Sequence, residues 1–424
     1  MDATLALFLA TFGALLVVAV FLDDIAARIR LPGILMVLVL GLLVDNRVDL
    51  AVPHTAAEPS PVEPLLTLAH AQEITQVALV LVLFFGGLTT NWRQMRSVLR
   101  PASRLATAGA LLTALLITVV ILAAMESPLL SRPVNLPLAL FVGAMLCSTD
   151  ASAVLALLRP LTDRLPKRLL DLIEAESAFN DPMAVVLAGL ALALAGGDSA
   201  EPAVLVAAVL RQFLLGILLG FLGGTLAHQL LLSRPSISDS SLLAVVSLAL
   251  LMLIAGGTEA LGGSGLLAAY IAGLVIGNSS RLDRGVLEEA HAGFAKMAEL
   301  LLFLCMGLVV APPDVVRLLP MGLGLFVLLL LVRLVMVHGL LMGAGFSVPE
   351  RHFACCVGLR GAVPIAVAIQ AADSSIPWGA WMPALALTVV LFGLLIQGFT
   401  LVPLAEWLGL AAPLPQPRPE PPHP

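Results

Sequence analysis

Residues 136–158 read LPLALFVGAMLCSTDASAVLALL, and the polar island in the middle of that run decides the fold. Cys147-Ser148-Thr149-Asp150-Ala151-Ser152-Ala153 interrupts a stretch that is otherwise long and apolar enough to cross a bilayer. A charged group at the bilayer centre costs about 2.5–3.5 kcal/mol on insertion scales, so such residues are rare and usually functional or paired. Ser, Thr and Asp side chains compete with the backbone for hydrogen bonds and favour caps over helix interiors. The segment is therefore read as a helix that unwinds near mid-membrane. Asp150 then sits near the positive N-terminal end of the second half-helix. The plainer alternative is a polar contact between two intact helices.

The rest of the chain supplies the membrane context. Of 424 residues, 60% are hydrophobic and only 12% are charged, whereas a soluble domain is about a quarter charged. That balance excludes a soluble globular enzyme, a nucleic-acid binder and a disordered protein. At roughly 25–30 residues per span and loop, the length allows about thirteen to sixteen transmembrane helices and no large soluble domain. Thirteen apolar segments stand between polar punctuation: 4–22, 32–44, 73–90, 103–124, 136–158, 168–195, 202–232, 241–256, 264–278, 295–310, 319–343, 353–372 and 383–410. The first lacks a basic n-region and a small-residue cleavage site, so it is expected to be a retained helix and not a signal peptide. Cys147, Cys305, Cys355 and Cys356 fall in apolar runs without metal-ligand spacing. They read as buried small hydrophobes, with no disulfide and no transition-metal site expected.

Charge chooses the orientation. Of 22 basic residues, sixteen fall in the loops after segments 1, 3, 5, 7, 9 and 11 and in the tail, among them Arg28, Arg30, Arg93, Arg96, Arg100, Arg104, Arg159, Arg164, Lys167, Arg168, Arg281, Arg284 and Lys296. Only Arg47, Arg132 and Arg317 fall in the alternate loops. The positive-inside rule then puts the N-terminus outside and the C-terminus in the cytoplasm. The acidic, Pro-rich stretch 45–72 reads as an external solvated linker. Residues 411–424 read as a short Pro-rich cytoplasmic tail, with no regulatory domain expected beyond it.

Three basic residues remain inside segments: Arg211, Arg333 and Arg360. Arg211 lies near its segment's start and snorkels to the interface. Arg333 stands alone in Leu-Leu-Val-Arg-Leu-Val-Met and, always charged, needs a carboxylate. Segment 6 offers two in Glu174-Ala-Glu176-Ser177-Ala-Phe-Asn180-Asp181-Pro182. Glu176, Asn180 and, less closely, Ser177 share a face at helical spacing, and Pro182 removes one backbone hydrogen bond nearby. An amide, a carboxylate, hydroxyls and freed carbonyls make an oxygen-rich set suited to a small hard cation. Glu176 is the expected partner of Arg333, which leaves Asp181 free to titrate. In segment 12, Gly358-Leu-Arg360-Gly361-Ala-Val-Pro364 mirrors the interruption of segment 5. Paired interrupted helices in two halves mark inverted-repeat transporters. Arg360 either offsets the negative ends of broken helices or snorkels to the cytoplasmic face.

Gly256-Gly257-Thr258-Glu259 and Gly262-Gly263-Ser264-Gly265 read as an external turn with close packing. They carry no phosphate-loop pattern, so no nucleotide is expected. His228, His291, His338 and His352 form no ligand spacing. His291 and His352 sit at the cytoplasmic border, a place suited to pH sensing.

Ser-Thr-Asp in segment 5, Glu-Ser-x-x-Asn-Asp-Pro in segment 6 and Gly-Leu-Arg-Gly-Ala in segment 12 together resemble the monovalent cation:proton antiporter-1 family, which includes bacterial NhaP-type antiporters and the animal sodium/proton exchangers. The run Glu259 to Asn278 resembles that family's helix 8–9 region. The resemblance covers residues 4–410. It implies an all-α polytopic membrane protein of the NhaA-like antiporter fold, with inverted repeats and crossing, interrupted helices 5 and 12. Residues 1–410 would form one antiporter domain, with core helices about 73–195 and 295–372 and the remainder a scaffold that dimerises. By the same resemblance, Asp181 binds ion and proton beside Asn180, Thr149 and Ser177 line the site, Asp150 is the acid of the unwound helix, and Glu176 with Arg333 is a structural ion pair. The Asn-Asp pair implies electroneutral exchange. The implied protein is a transporter in a bacterial plasma membrane, not an enzyme; it has no cofactor and carries Na⁺ or K⁺ against H⁺. Lipid and a second copy of the chain are its expected partners, with no nucleic acid. A channel or exporter of another solute on the same fold stays open, as does, more remotely, a membrane aspartyl enzyme using Asp150 and Asp181. Two departures stand out: the acid that relatives often carry near Phe84-Phe85-Gly86-Gly87 is absent, and Leu334 replaces a proline after the segment 11 arginine.

Overall fold

The computed structural model describes residues 3–29, 32–44, 65–124, 134–158, 161–196, 202–233, 240–282, 284–374 and 376–411. Most of the acidic stretch 45–72, the tail beyond 411, and Arg30, Arg47, Arg132, Arg159, Arg234 and Arg418 of the charge pattern lie outside these residues. Every element described is helical. Nine helices are long and apolar enough to cross a membrane, and four shorter apolar helices accompany them among the described residues.

In chain order the helices are α1 (Ala3–Ile29), α2 (Gly33–Leu43), α3 (Leu68–Thr89) and α4 (Leu99–Ala123), the last with a π-helical turn at Leu105–Gly109. Next come α5a (Leu136–Met145), α5b (Ala151–Leu158), α6 (Lys167–Ala195), α7 (Pro202–Ser233) and α8 (Ser240–Ala260). They are followed by α9 (Gly265–Gly277), α10 (Arg284–Val309) and α11 (Pro312–Leu340). The chain ends in α12a (Val348–Cys356), α12b (Ala362–Asp373) and α13 (Gly379–Trp407). A second π-helical turn lies at Gly393–Gln397 in α13.

The helices pack into two bodies. In the first, α3 lies against α9 and α10, α2 against α10 and α1, and α9 against α7 and α8. In the second, α5a lies between α4 and α6, and α11 packs on α13 and α12a. The bodies meet chiefly where α12b rests on α3 and α10. The sequence expectation places about 73–195 and 295–372 in one core; in the packing itself α3 and α10 lie mainly against α9 and α2, and α13 against α11. The reason is surface shape. Lipid supplies no hydrophobic drive between helices, so small residues that permit close backbone approach decide the partners. Gly87 and Gly273 press α3 onto α9, and Gly41 faces Gly307 between α2 and α10.

Three boundaries also differ. Helix α8 runs through Gly256, Gly257, Thr258 and Glu259, and the turn begins at Leu261. Glu259 is satisfied there by accepting from the Gly265 amide at 2.8 Å, so the acid closes the helix-to-helix turn from within α8. Helix α11 begins at Pro312, where a proline at the helix start needs no amide partner. Helix α10 begins at Arg284, well before the apolar run at 295. Its first turns are amphipathic, with Leu287, His291, Ala295 and Ala298 buried, and so continue the same helix into polar surroundings. Lys296, counted above as a loop residue, therefore lies inside a helix.

Candidate functional site

The helix of segment 5 does break. Helix α5a ends at Met145, Leu146–Asp150 are not helical, and α5b restarts at Ala151. Asp150 does what an acid at a helix start does: its Oδ1 accepts from the Ala153 amide at 3.2 Å. The helix of segment 12 breaks over Val357–Gly361. The two breaks touch, because the Asp150 amide donates to the Leu359 carbonyl at 2.9 Å. A Cβ at Gly361 would overlap the Asp150 carboxylate, and one at Gly358 would overlap the Arg333 side chain. Both glycines of the Gly-Leu-Arg-Gly run are thus explained by close approach.

Broken helices leave orphan carbonyls, and a buried polar group left unpaired costs about 1–3 kcal/mol. At the end of α12a, side chains cover them. Arg333 Nη2 donates to the Ala354 carbonyl at 3.1 Å, Gln397 Nε2 to the Cys356 carbonyl at 2.7 Å, and Arg360 Nη1 to the Gly358 carbonyl at 3.2 Å. Arg360 is thus placed at the helix end and is buried, away from any aqueous face. The π-helical turn of α13 carries Gln397 to its carbonyl. The sequence reading did not single this residue out, and its signal was a lone amide in the apolar run Leu-Leu-Ile-Gln-Gly.

Helix α6 supplies the remaining groups. Glu176 and Arg333, 4% and 8% exposed, form a two-pronged ion pair at 2.7 and 3.0 Å. One turn on, Asn180 is committed at both ends: Oδ1 accepts from the Thr149 amide at 3.2 Å and Nδ2 donates to Thr149 Oγ1 at 2.8 Å. Thr149 Oγ1 also shares a hydrogen bond with Ser177 Oγ at 2.9 Å. The structure therefore brings Thr149, Ser177 and Asn180 into one network joining α6 to the break.

Asp181 faces the other way, into a cavity of about 30 Å³ lined also by Ser148, Thr149, Asp150, Glu299, Leu79, Val82, Phe303, Gly361 and Ala362. Ser148 lines the same cavity wall as Asp181. The space suits one small ion or water. The first residues of α12b line it and α5b starts at Asp150's side, so the positive ends of two half-helices meet a pair of carboxylates. Glu299 is the residue in this cavity that sequence reasoning missed. It is the one acid of segment 10, and the scarcity of buried charge pointed to it as it did to Asp181.

A larger cavity of about 430 Å³ opens beside it, lined among others by Gln76, Gln212, Glu259 and Gln370. Leu79 lines both. Among the described residues, no three His, Cys, Asp or Glu side chains are grouped to hold a metal ion.

The sequence profile of the transmembrane sodium/hydrogen exchanger matches residues 12–407. The K(+)/H(+) antiporter NhaP2 of Shewanella sp. (strain MR-4) is 33% identical over 416 residues, which cover 96% of this chain and 68% of that one. The Na(+)/H(+) antiporter ApNhaP of Aphanothece halophytica is 29% identical over 355 residues, covering 80% and 65%. In three dimensions, the sodium proton antiporter MjNhaP1 of Methanocaldococcus jannaschii superposes with a TM-score of 0.78 at 19% identity, covering 96% of this chain and all of that one. At that identity the likeness speaks for the fold.

Proposed function

The chain belongs to the sodium/hydrogen exchanger family, a family of membrane cation/proton antiporters and not of enzymes, and from that premise we propose that it exchanges Na⁺ or K⁺ for protons one for one, the two ions competing for Asp181. Antiporters of this family need no cofactor; the transported ions are their substrates. The observation that carries the reading is the placement of Asp181: it alone of the Asn180–Asp181 pair faces the cavity, and the cavity lies at the crossing of two broken helices.

The deprotonated carboxylate of Asp181 holds a cation with the oxygens of Ser148 and Thr149. Protonation releases the cation, and the proton is carried instead. Either load neutralises the carboxylate, which lowers the cost of moving it past an apolar barrier. Asn180 cannot titrate and its amide is occupied by Thr149, so it adds no second proton. Asp150 is committed as the cap of α5b, and Glu176 is committed to Arg333. One exchanging carboxylate gives an electroneutral cycle.

The second body acts as the moving core and the first as the scaffold that dimerises. Helices α4–α6 and α11–α13, each with a broken middle member, act as inverted repeats. The thirteen segments cross the bacterial plasma membrane with the N-terminus outside, following the arginine distribution. The 430 Å³ cavity, at the end where α9 begins and α12b ends, is then the external approach, with Leu79 between it and the ion. The relatives at 32–34% identity carry K(+)/H(+) names and the one at 29% a Na(+)/H(+) name, so both ions enter the test.

The test is Asp181→Asn in proteoliposomes, with Na⁺, Li⁺, K⁺ and Rb⁺ added in turn while internal pH is read. Exchange is expected to vanish while the purified variant keeps a cooperative melting transition. Cation-driven proton flux at the wild-type rate would overturn the mechanism.

A further inference from the structure

The Asp181 mechanism leaves one charged chain unused. Lys296 Nζ lies 3.0 Å from Asp23 Oδ2 of α1 and 3.2 Å from Glu299 Oε2 one turn further along α10. Glu299 is the least exposed of the three, with side-chain exposure of 23% against 30% at Asp23 and 45% at Lys296. Glu299 then lines the cavity that holds Asp150 and Asp181.

We propose that Glu299 is a scaffold-side carboxylate of the ion site, restrained by Lys296, that draws the cation toward Asp181 and sets the apparent cation affinity. The proposal rests on the antiport reading above. A purely structural role needs only the Lys296–Asp23 link, which ties α1 to α10. A third carboxylate on a cavity that already holds two is a cost for such a role, because like charges repel in a poorly hydrated site. A cation offsets that repulsion. The charged groups facing Glu299 are Lys296 from its own helix, Asp23 from α1, Asp150 from the α5 break and Asp181 from α6. Helices α3 and α12b present only Leu79, Val82, Gly361, Ala362 and Val363.

The placement has a mechanical meaning. Asp150 and Asp181 belong to the second body and Glu299 to the first. If the second body moves, Glu299 is beside the ion in one position only. It is then a binding residue specific to one facing state. Lys296 competes with the cation for it.

The experiment measures cation-dependent proton flux in vesicles against cation concentration at several pH values. Glu299→Gln should raise the half-saturating cation concentration by about tenfold, the scale of one neighbouring charge in a partly hydrated site, and by more than it lowers the maximal rate. Glu299→Asp should recover part of that loss. Lys296→Met should move the half-saturating concentration the other way, because it frees the carboxylate. An unchanged half-saturating concentration in Glu299→Gln, or Lys296→Met matching Glu299→Gln, would overturn the proposal. Should Glu299→Gln fail to accumulate, K⁺- and Na⁺-induced thermal shifts of purified Glu299→Asp and Lys296→Met decide it. A larger shift in Lys296→Met supports the assignment, and shifts equal to wild type overturn it. Wild-type vesicles without cation-dependent flux would break the antiport reading itself.

Discussion

Where α3 lies on α9, Gly87 sits under the Tyr270 backbone and Gly273 under that of Phe84, and no ion pair is needed. Where α5 and α12 cross in the second body, Arg333, Arg360, Gln397 and Asn180 are each occupied with a carbonyl, an amide or a carboxylate. The difference follows from the backbone. Intact helices satisfy their own amides and carbonyls, so their contacts are left to shape. Broken helices expose peptide groups that lipid cannot satisfy, and side chains must stand in. The first body carries a part-exposed charged chain, Asp23–Lys296–Glu299, whose last member reaches the cavity at the break in the other.

The largest effect is expected from removing the group with the most partners. Arg333→Ala leaves Glu176 charged and buried and uncovers the Ala354 carbonyl. Losing one member of a buried pair costs about 3–5 kcal/mol. The variant should accumulate poorly or melt far below wild type in detergent. The double variant Arg333→Leu with Glu176→Gln should recover much of that stability, since no charge is then stranded. If Arg333→Ala melts like wild type, the second body is held by shape after all, and the contrast between the bodies collapses.

How much of this was legible depended on locality. The break at Ser148–Asp150 and the Glu176–Arg333 pair were readable, because a charge or hydroxyl cluster in an apolar run carries its own reason. Which helices pack most closely on one another was not. It rests on which glycines of distant helices face each other, such as Gly41 with Gly307, and glycines are common throughout the chain. Glu299 lay inside the expected segment 295–310, but what it faces is a cavity walled by the α5 break, α6 and α12b, which its own segment does not reveal. Gln397 was hidden because its need arises from a carbonyl on another helix.

Two glycine substitutions separate shape from chemistry. Gly361→Ala puts a methyl group into the Asp150 carboxylate, and Gly273→Ala puts one into the Phe84 backbone. Overpacking of this kind costs about 1–3 kcal/mol, so melting temperatures should fall in both. Only Gly361→Ala should also change the cation concentration dependence of exchange, since it displaces a wall of the ion cavity. Equal transport defects per folded molecule would mean that the bodies do not divide their tasks. Gln397→Leu comes next in size: it uncovers the Cys356 carbonyl, a loss of about 1–3 kcal/mol for an unpaired buried acceptor, partly relieved where water reaches it.

The smallest effect tests whether depth or charge makes the second body polar. Arg164 and Glu406 form an ion pair at 3.4 Å within that body, joining the loop after α5b to the end of α13, but their side chains are 23% and 52% exposed. The charges are of the same types as in Arg333–Glu176; only the surroundings differ. Water screens the exposed pair, and such pairs couple by about 0.2–1 kcal/mol in double-mutant cycles. Glu406→Gln should therefore leave the melting temperature and the exchange rate close to wild type, and the Arg164–Glu406 cycle should yield a small coupling fraction of that for Arg333–Glu176. If the two cycles gave similar energies, arginine–glutamate contacts as such would be holding the body together. If the exposed pair is nearly silent, what holds it is the removal of peptide groups and their partners from water, and the polar side chains of the crossing are there because the backbone is broken at that depth.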